Sequence, residues 1–122
     1  MPVERGEVYL VDLNPTKGRE QSGRRPVVVV SNDELNRRPL VALVAPGTRG
    51  IKVPADYPGN IRFAAGTAGL PEETVFMAFQ VRALDHTRFQ GRPVGRLTGA
   101  EMLKLDEALA WCLSLTLKTG SS

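Results

Sequence analysis

The sequence is poor in cysteine and histidine, and it has no long apolar run. Its single cysteine, Cys112, excludes a disulfide within the chain and a cysteine-based zinc site, and we expect a buried, inert thiol. Its single histidine, His86, excludes a two-histidine acid–base pair within one subunit, and we expect it to be solvated. No stretch approaches the roughly 20 apolar residues of a membrane span, and the start has no signal-peptide core. We therefore expect a cytoplasmic protein that does not enter a membrane.

Motifs of several common enzyme classes are also absent. The sequence contains no Gly-x-Gly-x-x-Gly segment, no Walker sequence and no nucleophile elbow. The acidic pairs Asp33-Glu34 and Glu72-Glu73 are adjacent in sequence, and adjacent side chains do not converge on one ion in a strand or helix. We therefore expect neither a metal nor a cofactor.

Arginine is abundant by contrast. The chain has 16 basic and 13 acidic residues, a net charge of +3, and 12 of the basic residues are arginine. Eight basic residues and three acidic ones lie between Lys17 and Lys52. Because arginine binds phosphate and carboxylate through two parallel hydrogen bonds, nucleic acid is the first candidate partner. A solvated basic surface is the alternative.

Strand-favouring runs separated by Gly and Pro turns dominate the first three quarters of the chain. The 122 residues fit one domain, residues 1–122. The apolar run Val27–Val30 predicts a strand buried on both faces, and Ser31–Asn36 predicts one helical turn. The other predicted strands are Gly6–Leu13, Leu40–Ala45 (ended by Pro46-Gly47), Ile51–Val53, Ile61–Phe63, Thr74–Leu84 and Arg92–Leu97.

The last quarter is predicted to be helical. Thr98-Gly99-Ala100-Glu101 has the form of a capping box, and apolar residues then recur at helical spacing. That apolar face comprises Met102, Leu105, Leu109, Cys112 and Leu113, and Lys118 and Gly120 mark the expected stop. Tyr9, Phe76 and Trp111 are expected core aromatics. Short strands followed by one helix predict a mainly β protein, a small barrel or strongly curved sheet with a C-terminal α-helix.

Arg24 and Arg25 lie where a polar loop meets the valine strand. The rigid strand can hold a guanidinium in a fixed direction toward a ligand that approaches from the loop side. Arginine, threonine and a few carboxylates suit the cleavage of RNA by its own 2′-hydroxyl. That reaction needs the phosphate held in line and the charge of its transition state neutralised.

The chain resembles the MazF/PemK family of toxin endoribonucleases over essentially its whole length. Three segments carry the resemblance: Arg5–Ser31, which includes Glu20-Gln21-Ser22-Gly23-Arg24-Arg25-Pro26, then Val44–Thr48 and Gln80–Asp85. The resemblance implies an SH3-like barrel and a homodimer with RNA lying across its interface. It also implies metal-independent cleavage of single-stranded mRNA at a short sequence, leaving a 2′,3′-cyclic phosphate and a 5′-hydroxyl. A cognate MazE-like antitoxin with a disordered acidic tail would cover the same groove.

The family's catalytic residues map onto Arg25, in the pattern Gly-x-Arg-Pro, onto Thr48 after the Val-x-Pro strand end, and onto the acid Glu20. We expect Arg25 and Thr48 to meet at one phosphate. Many relatives carry an acid where this chain has Phe79, so no role of that acid can be transferred. The expected substrate-binding residues are Lys17, Arg19, Gln21, Arg24, Arg49 and Gln80.

Two other functions remain open at this point. A non-enzymatic toxin of the same fold would bind DNA gyrase through an aromatic or acidic helix end, and Lys118–Ser122 offers none. A passive RNA-binding barrel would stack bases on several exposed aromatics, and the chain has only seven, one Trp, two Tyr and four Phe.

Overall fold

A computed structural model describes residues 2–14, 17, 18, 20, 23–38, 40–53 and 58–116 of the chain. Within these residues the chain forms seven strands, two α-helices and four short 3-10 turns. The strands are β1 (Glu7–Asp12), β2 (Arg24–Val29), β3 (Val41–Arg49), β4 (Asn60–Phe63), β5 (Thr74–Met77), β6 (Arg82–Asp85) and β7 (Gly95–Arg96). The helices are α1 (Asp33–Asn36) and α2 (Gly99–Leu113), and the 3-10 turns are Gly50–Lys52, Thr67–Gly69, Ala78–Gln80 and His86–Arg88. No helix in this part of the chain is both long and apolar enough to cross a membrane.

All strand pairs among the described residues are antiparallel, and β3 is shared by two parts of the sheet. The order is β4-β5-β3-β2-β1-β7, with β6 also paired to β3. The first half of β3 pairs with β6, from Val41↔Asp85 to Val44↔Arg82, and its end pairs with β5, from Gly47↔Phe76 to Arg49↔Thr74. The sheet therefore curves into a half-barrel, which confirms the predicted mainly β fold with a C-terminal helix.

The valine strand β2 is buried on both faces, as predicted. Val28 and Val30 belong to one core cluster, which includes Leu105 of α2, whereas Val27 and Val29 belong to a second cluster. Successive side chains of a strand point to opposite faces, so one run of apolar residues serves both clusters. This double burial makes β2 a rigid support for the residues at its start.

The expected core aromatics divide into two that are buried and one that is not. Phe76 and Tyr9 lie in the two clusters. The Tyr9 hydroxyl donates a 3.0 Å hydrogen bond to Glu7 Oε1, and burial together with this bond raises the pKa of Tyr9 to about 12. Trp111 is 58% exposed, so its assignment to the core was wrong. It lies on the outer side of α2, which packs against the sheet through Met102 and Leu105.

Helix α2 starts where predicted and ends before the predicted stop. Thr98 Oγ1 accepts from Glu101 N at 3.1 Å, and Glu101 Oε1 accepts from Thr98 N at 2.8 Å, which completes the capping box. The helix ends at Leu113 because Ser114 adopts a left-handed φ of 57°, and Leu115 N then bonds Ala110 O at 2.8 Å. The predicted stop at Lys118 and Gly120 was therefore wrong, and Leu113 is exposed rather than on the apolar face. Cys112 is only half-buried, and burial raises the pKa of its thiol.

We expect Thr98→Ala to lower the free energy of unfolding by about 1 kcal/mol, because it removes the side-chain acceptor for the first turn of α2. Urea denaturation measures this directly. Thr116→Ala is the control, since Thr116 is exposed and lies after the helix. Equal midpoints for the two variants would contradict the capping role.

Three of the predicted strands differ from those in the structure. The predicted strand Thr74–Leu84 is two strands, because β5 and β6 pair with different halves of β3 and the turn Ala78–Gln80 lies between them. The predicted strand Ile51–Val53 is a 3-10 turn, Gly50–Lys52. Of the predicted final strand Arg92–Leu97, only Gly95–Arg96 pairs, with β1. The predicted helical turn is α1, capped by Asn32 Oδ1, which accepts from Leu35 N at 2.9 Å.

Candidate active site

Arg25 and Thr48 are placed opposite each other by the pairing of β2 with β3. The last paired residues are Val27 and Pro46. Continuing the same register for two residues places Arg25 across from Thr48. Pro26 and Pro46 have no backbone N–H to donate, and β3 instead continues into its pairing with β5, where Thr48 is opposite Val75. The two strands therefore separate where Arg25 and Thr48 lie.

The two side chains are in contact. Arg25 Nη1 donates to Thr48 Oγ1 over 3.4 Å, a long hydrogen bond between residues 23 apart in sequence. Arg25 is half-buried and Thr48 is 4% exposed, so the surrounding strands restrict both. The structure therefore brings the two side chains together, and their meeting at a phosphate stays a prediction. The contact leaves a guanidinium and a hydroxyl close enough to bind oxygens of one phosphate.

A groove runs along this pair. Its walls carry three arginines, Arg24, Arg25 and Arg49, and one carboxylate, Glu72, while Leu10 and Pro71 are among its apolar residues. Arg49 Nε lies 3.7 Å from Glu72 Oε2, and both side chains are more than half exposed, so this ion pair contributes little stability. The excess of positive charge suits an anionic ligand, and the apolar part suits a group without charge.

Gly47 allows β3 to pass directly over Phe76. A Cβ on Gly47 would lie 2.9 Å from Phe76 Cε1 and 3.0 Å from Thr74 Cγ2, so a larger residue would push β3 away from β5. Sequence reasoning took Pro46-Gly47 as a strand terminator. The structure instead places Thr48 within β3, which restrains its backbone more tightly than a turn would.

Comparison with known proteins identifies the family. A sequence model of a protein family, described as "PemK-like, MazF-like toxin of type II toxin-antitoxin system", matches residues 4–113. The chain belongs to this family. It is 40% identical to the endoribonuclease MazF9 of Mycobacterium tuberculosis, a match covering 93% of this chain and 98% of the relative. It is 38% identical to the endoribonuclease EndoA of Bacillus subtilis, covering 94% and 97% of the two chains.

Solved structures of MazF proteins have the same fold. MazF from Deinococcus radiodurans superposes with a TM-score of 0.78 at 22% identity, covering 94% of this chain and 99% of that one. An endoribonuclease in complex with its cognate antitoxin, from a mycobacterial species, gives a TM-score of 0.75 at 25% identity, covering 95% and 99%. The resemblance read from the sequence is thus confirmed for family and fold.

Of the remaining residues predicted for the MazF-like site, Arg24 and Arg49 line the groove with Arg25 and Thr48. Arg24 is exposed and pairs in the β1–β2 register with Asp12. It lines the groove, but the hydrogen bond to Thr48 comes from Arg25. Arg19 and Gln21 lie outside the described residues.

Glu20 and Lys17 interact with each other in the loop before β2. Glu20 Oε1 accepts from Lys17 N at 2.5 Å, and Glu20 N donates to Lys17 O at 3.1 Å. Both side chains are exposed, and neither is among the described residues that line the groove. In this arrangement the Glu20 carboxylate closes a local turn.

Gln80 also lies apart from the groove. It belongs to the turn Ala78–Gln80, where its Nε2 approaches Met77 Sδ at 4.0 Å, and it does not line the groove. Its neighbour Phe79, which replaces the family's acid, is 45% exposed.

His86 is exposed, as predicted. Across the described ranges, no three His, Cys, Asp or Glu side chains are grouped so that they can hold a metal ion.

Sequence reasoning missed six residues of the groove: Leu10, Pro26, Leu70, Pro71, Glu72 and Thr74. No local signal marks them: Leu10 reads as an ordinary strand residue, and Pro71-Glu72 as part of a loop. They reach the groove because β1 pairs with β2 and the segment before β5 crosses beside β3.

Proposed function

We propose that the chain is the toxin of a type II toxin–antitoxin pair and an endoribonuclease that cuts single-stranded mRNA at a short sequence. The observation that carries the proposal is the contact between Arg25 and Thr48 inside an arginine-lined groove. Family membership and the two endoribonuclease relatives support the same activity.

In the proposed mechanism the substrate supplies its own nucleophile. The 2′-oxygen attacks the adjacent phosphorus and loses its proton, and the bond from phosphorus to the 5′-oxygen breaks. The 5′-oxygen takes up a proton, so the products are a 2′,3′-cyclic phosphate and a 5′-hydroxyl. Arg25 stabilises the charge of the pentavalent transition state and donates the proton to the leaving oxygen, and Thr48 positions a non-bridging oxygen.

Arg25 does not accept the 2′-proton, because a guanidinium already carries its full set of protons at neutral pH and has no lone pair to accept another. We assign that role to Glu20 or to a water that it orders. The Glu20 carboxylate is exposed, and its bond to Lys17 N leaves lone pairs for another donor. None of these steps requires a metal ion, so we propose metal-independent cleavage.

RNA binding is assigned to Lys17, Arg19, Gln21, Arg24, Arg49 and Gln80, with the arginines contacting phosphates and Gln80 contacting a base. The functional unit is proposed to be a cytoplasmic homodimer inhibited by a MazE-like antitoxin. Solved structures of MazE–MazF complexes from Deinococcus radiodurans share this fold, and the acidic tail expected of an antitoxin complements the arginines of the groove.

The test is incubation of the purified protein with a long RNA in EDTA, followed by sequencing of the ends. We expect cuts at one short sequence, with 5′-hydroxyl and cyclic phosphate termini. A substrate with a 2′-deoxynucleotide before the cut is the control and should stay intact, because it lacks the nucleophile. A gyrase-binding toxin or a passive RNA-binding barrel would leave the RNA whole, and that result would refute the proposal.

A further inference from the structure

An arginine outside the groove contacts the loop that carries Glu20. Arg88 Nη2 donates to Asp12 O and, at 3.2 Å, to Asn14 O. These bonds join residues that are 76 and 74 positions apart in sequence. Asp12 is the last residue of β1, and the loop between β1 and β2 follows it. Arg88 therefore holds the backbone at the point where this loop leaves the sheet.

The neck of the loop, formed by Leu13, Asn14 and Gly23, is closed by bonds within the hairpin. Leu13 N donates to Gly23 O at 2.9 Å, Gly23 N donates to Asn14 Oδ1 at 3.2 Å, and Asn14 N donates to Asp12 Oδ1 at 2.9 Å. Asn14 is exposed, so water competes for the bonds of its side chain. Arg88 adds a contact from outside the hairpin, and that contact holds the neck against the rest of the sheet.

The turn His86–Arg88 is itself fixed in place. Asp85 Oδ1 accepts from Thr87 N at 2.9 Å and from Thr87 Oγ1 at 2.7 Å. The ring of Phe89, directly after the turn, lies edge-on to that of Tyr9 with centroids 5.3 Å apart, and it packs against the second core cluster. The guanidinium therefore reaches the neck from a firm support.

The contact bears on the loop and not on Arg25. The position of Arg25 is set by its pairing with Val11 and by the buried strand that follows it. Arg88 is not among the described residues that line the groove. Glu20 is exposed and is bonded to Lys17 within its own loop, so its place relative to the sheet depends on how the neck is held.

We propose that Arg88 is a positioning residue for RNA cleavage: it fixes the neck, and thereby the distance of the Glu20 carboxylate from the phosphate in the groove. The inference rests on the proposed function, because it takes Glu20 as the group that accepts the 2′-proton. A displacement of about 1 Å at a catalytic group can cost on the order of 100-fold in rate, so two bonds at the neck are enough to affect catalysis.

Amide hydrogen exchange tests the contact without any assay of activity. Arg88→Met removes the guanidinium and keeps an unbranched side chain, so we expect the amides of Leu13 and Gly23 to exchange roughly tenfold faster than in the wild type. The amide of Val28, which lies between β1 and β3, should exchange at the wild-type rate and so shows that the variant is folded. Unchanged exchange at Leu13 and Gly23 would overturn the proposal.

Cleavage of a short RNA with one mapped cut site, at saturating RNA, tests the link to Glu20. We expect Arg88→Met to lower kcat roughly tenfold. Arg37→Met is the matched control, because it removes the same charge from an exposed arginine that pairs with Glu34 at 2.9 Å, and its kcat should equal that of the wild type. In a Glu20→Gln background, Arg88→Met should lower kcat by less than about twofold, because the carboxylate that it positions is already absent.

The outcomes separate this inference from the proposed function. If the wild type cuts RNA but Glu20→Gln retains wild-type kcat, the positioning role is wrong while the nuclease stands. The same conclusion follows if Arg88→Met lowers kcat by the same factor with and without Glu20→Gln, since Arg88 then acts independently of Glu20. If the wild type cuts no RNA, the proposed function and the positioning role fail together.

Discussion

Arg25→Ala is expected to lower kcat/KM for RNA cleavage about 1,000-fold, or ~4 kcal/mol of transition-state stabilisation. The guanidinium is the charged donor beside Thr48 Oγ1, and in the proposed mechanism it stabilises the pentavalent phosphorane and protonates the leaving oxygen. Arg25→Lys keeps the charge and loses the planar fork, so we expect a loss of roughly 100-fold. Single-turnover cleavage of a mapped RNA measures both.

Arg24→Ala is the matched control for Arg25, one residue away on the same strand. Arg24 is exposed and lines the groove, whereas the hydrogen bond to Thr48 comes from Arg25, so the expected role of Arg24 is a phosphate contact worth about tenfold or less. Equal losses of activity for Arg24→Ala and Arg25→Ala would mean that the groove needs only positive charge. That result would contradict the assignment of the catalytic role to Arg25 and not to Arg24. Thermal unfolding of each variant shows whether the protein remains folded.

Thr48→Val is expected to lower kcat about 100-fold, because it removes the hydroxyl that positions a non-bridging oxygen. Valine preserves the shape and the β-branched character of threonine, so the pairing of Thr48 with Val75 should persist. Thr48→Ser retains the hydroxyl and should keep activity within about tenfold of the wild type, because it loses only a methyl group, at about 0.8 kcal/mol per buried CH₂. Comparing Thr48→Val with Thr48→Ser separates the effect of losing the hydroxyl from the effect of changing the side-chain volume.

The result that would contradict the role of Thr48 is near-wild-type cleavage by Thr48→Val. A stability change alone does not mimic the expected pattern, since Thr48→Ser removes a methyl group from the buried site and is expected to remain active. Circular dichroism of both variants provides the folding control. The cleavage assay should be run with RNA above the KM of each variant, so that kcat is measured.

Much of the site was predictable from sequence, but by different routes. Arg25 was marked both by its place beside the valine strand and by the family resemblance. The pairing of Thr48 with Arg25 came from the resemblance alone, because the residues suggested that the strand ended at Pro46-Gly47. Its basis in the fold is the β2–β3 register, which no local pattern reveals.

Glu20 shows a further difference between sequence and structure. Its position matches the family's acid, yet its carboxylate closes a turn onto Lys17 N in the structure. A loop carboxylate has many backbone donors within reach, and the choice among them depends on the path of the loop. Its proposed catalytic role therefore stays a prediction, to be tested by Glu20→Gln beside the variants of Arg25 and Thr48.

The features that the sequence determined by itself are local ones. The double burial of Val27–Val30, the capping box at Thr98 and the excess of arginine between Lys17 and Lys52 each depend on residues close together in the chain. Tertiary structure alone decided the course of β3 through Gly47, the division of Thr74–Leu84 into two strands and the exposure of Trp111. It also brought Arg25 to Thr48 across 23 residues. These features depend on which distant segments pair, and many pairings satisfy the same local preferences, so only packing of the whole chain selects one.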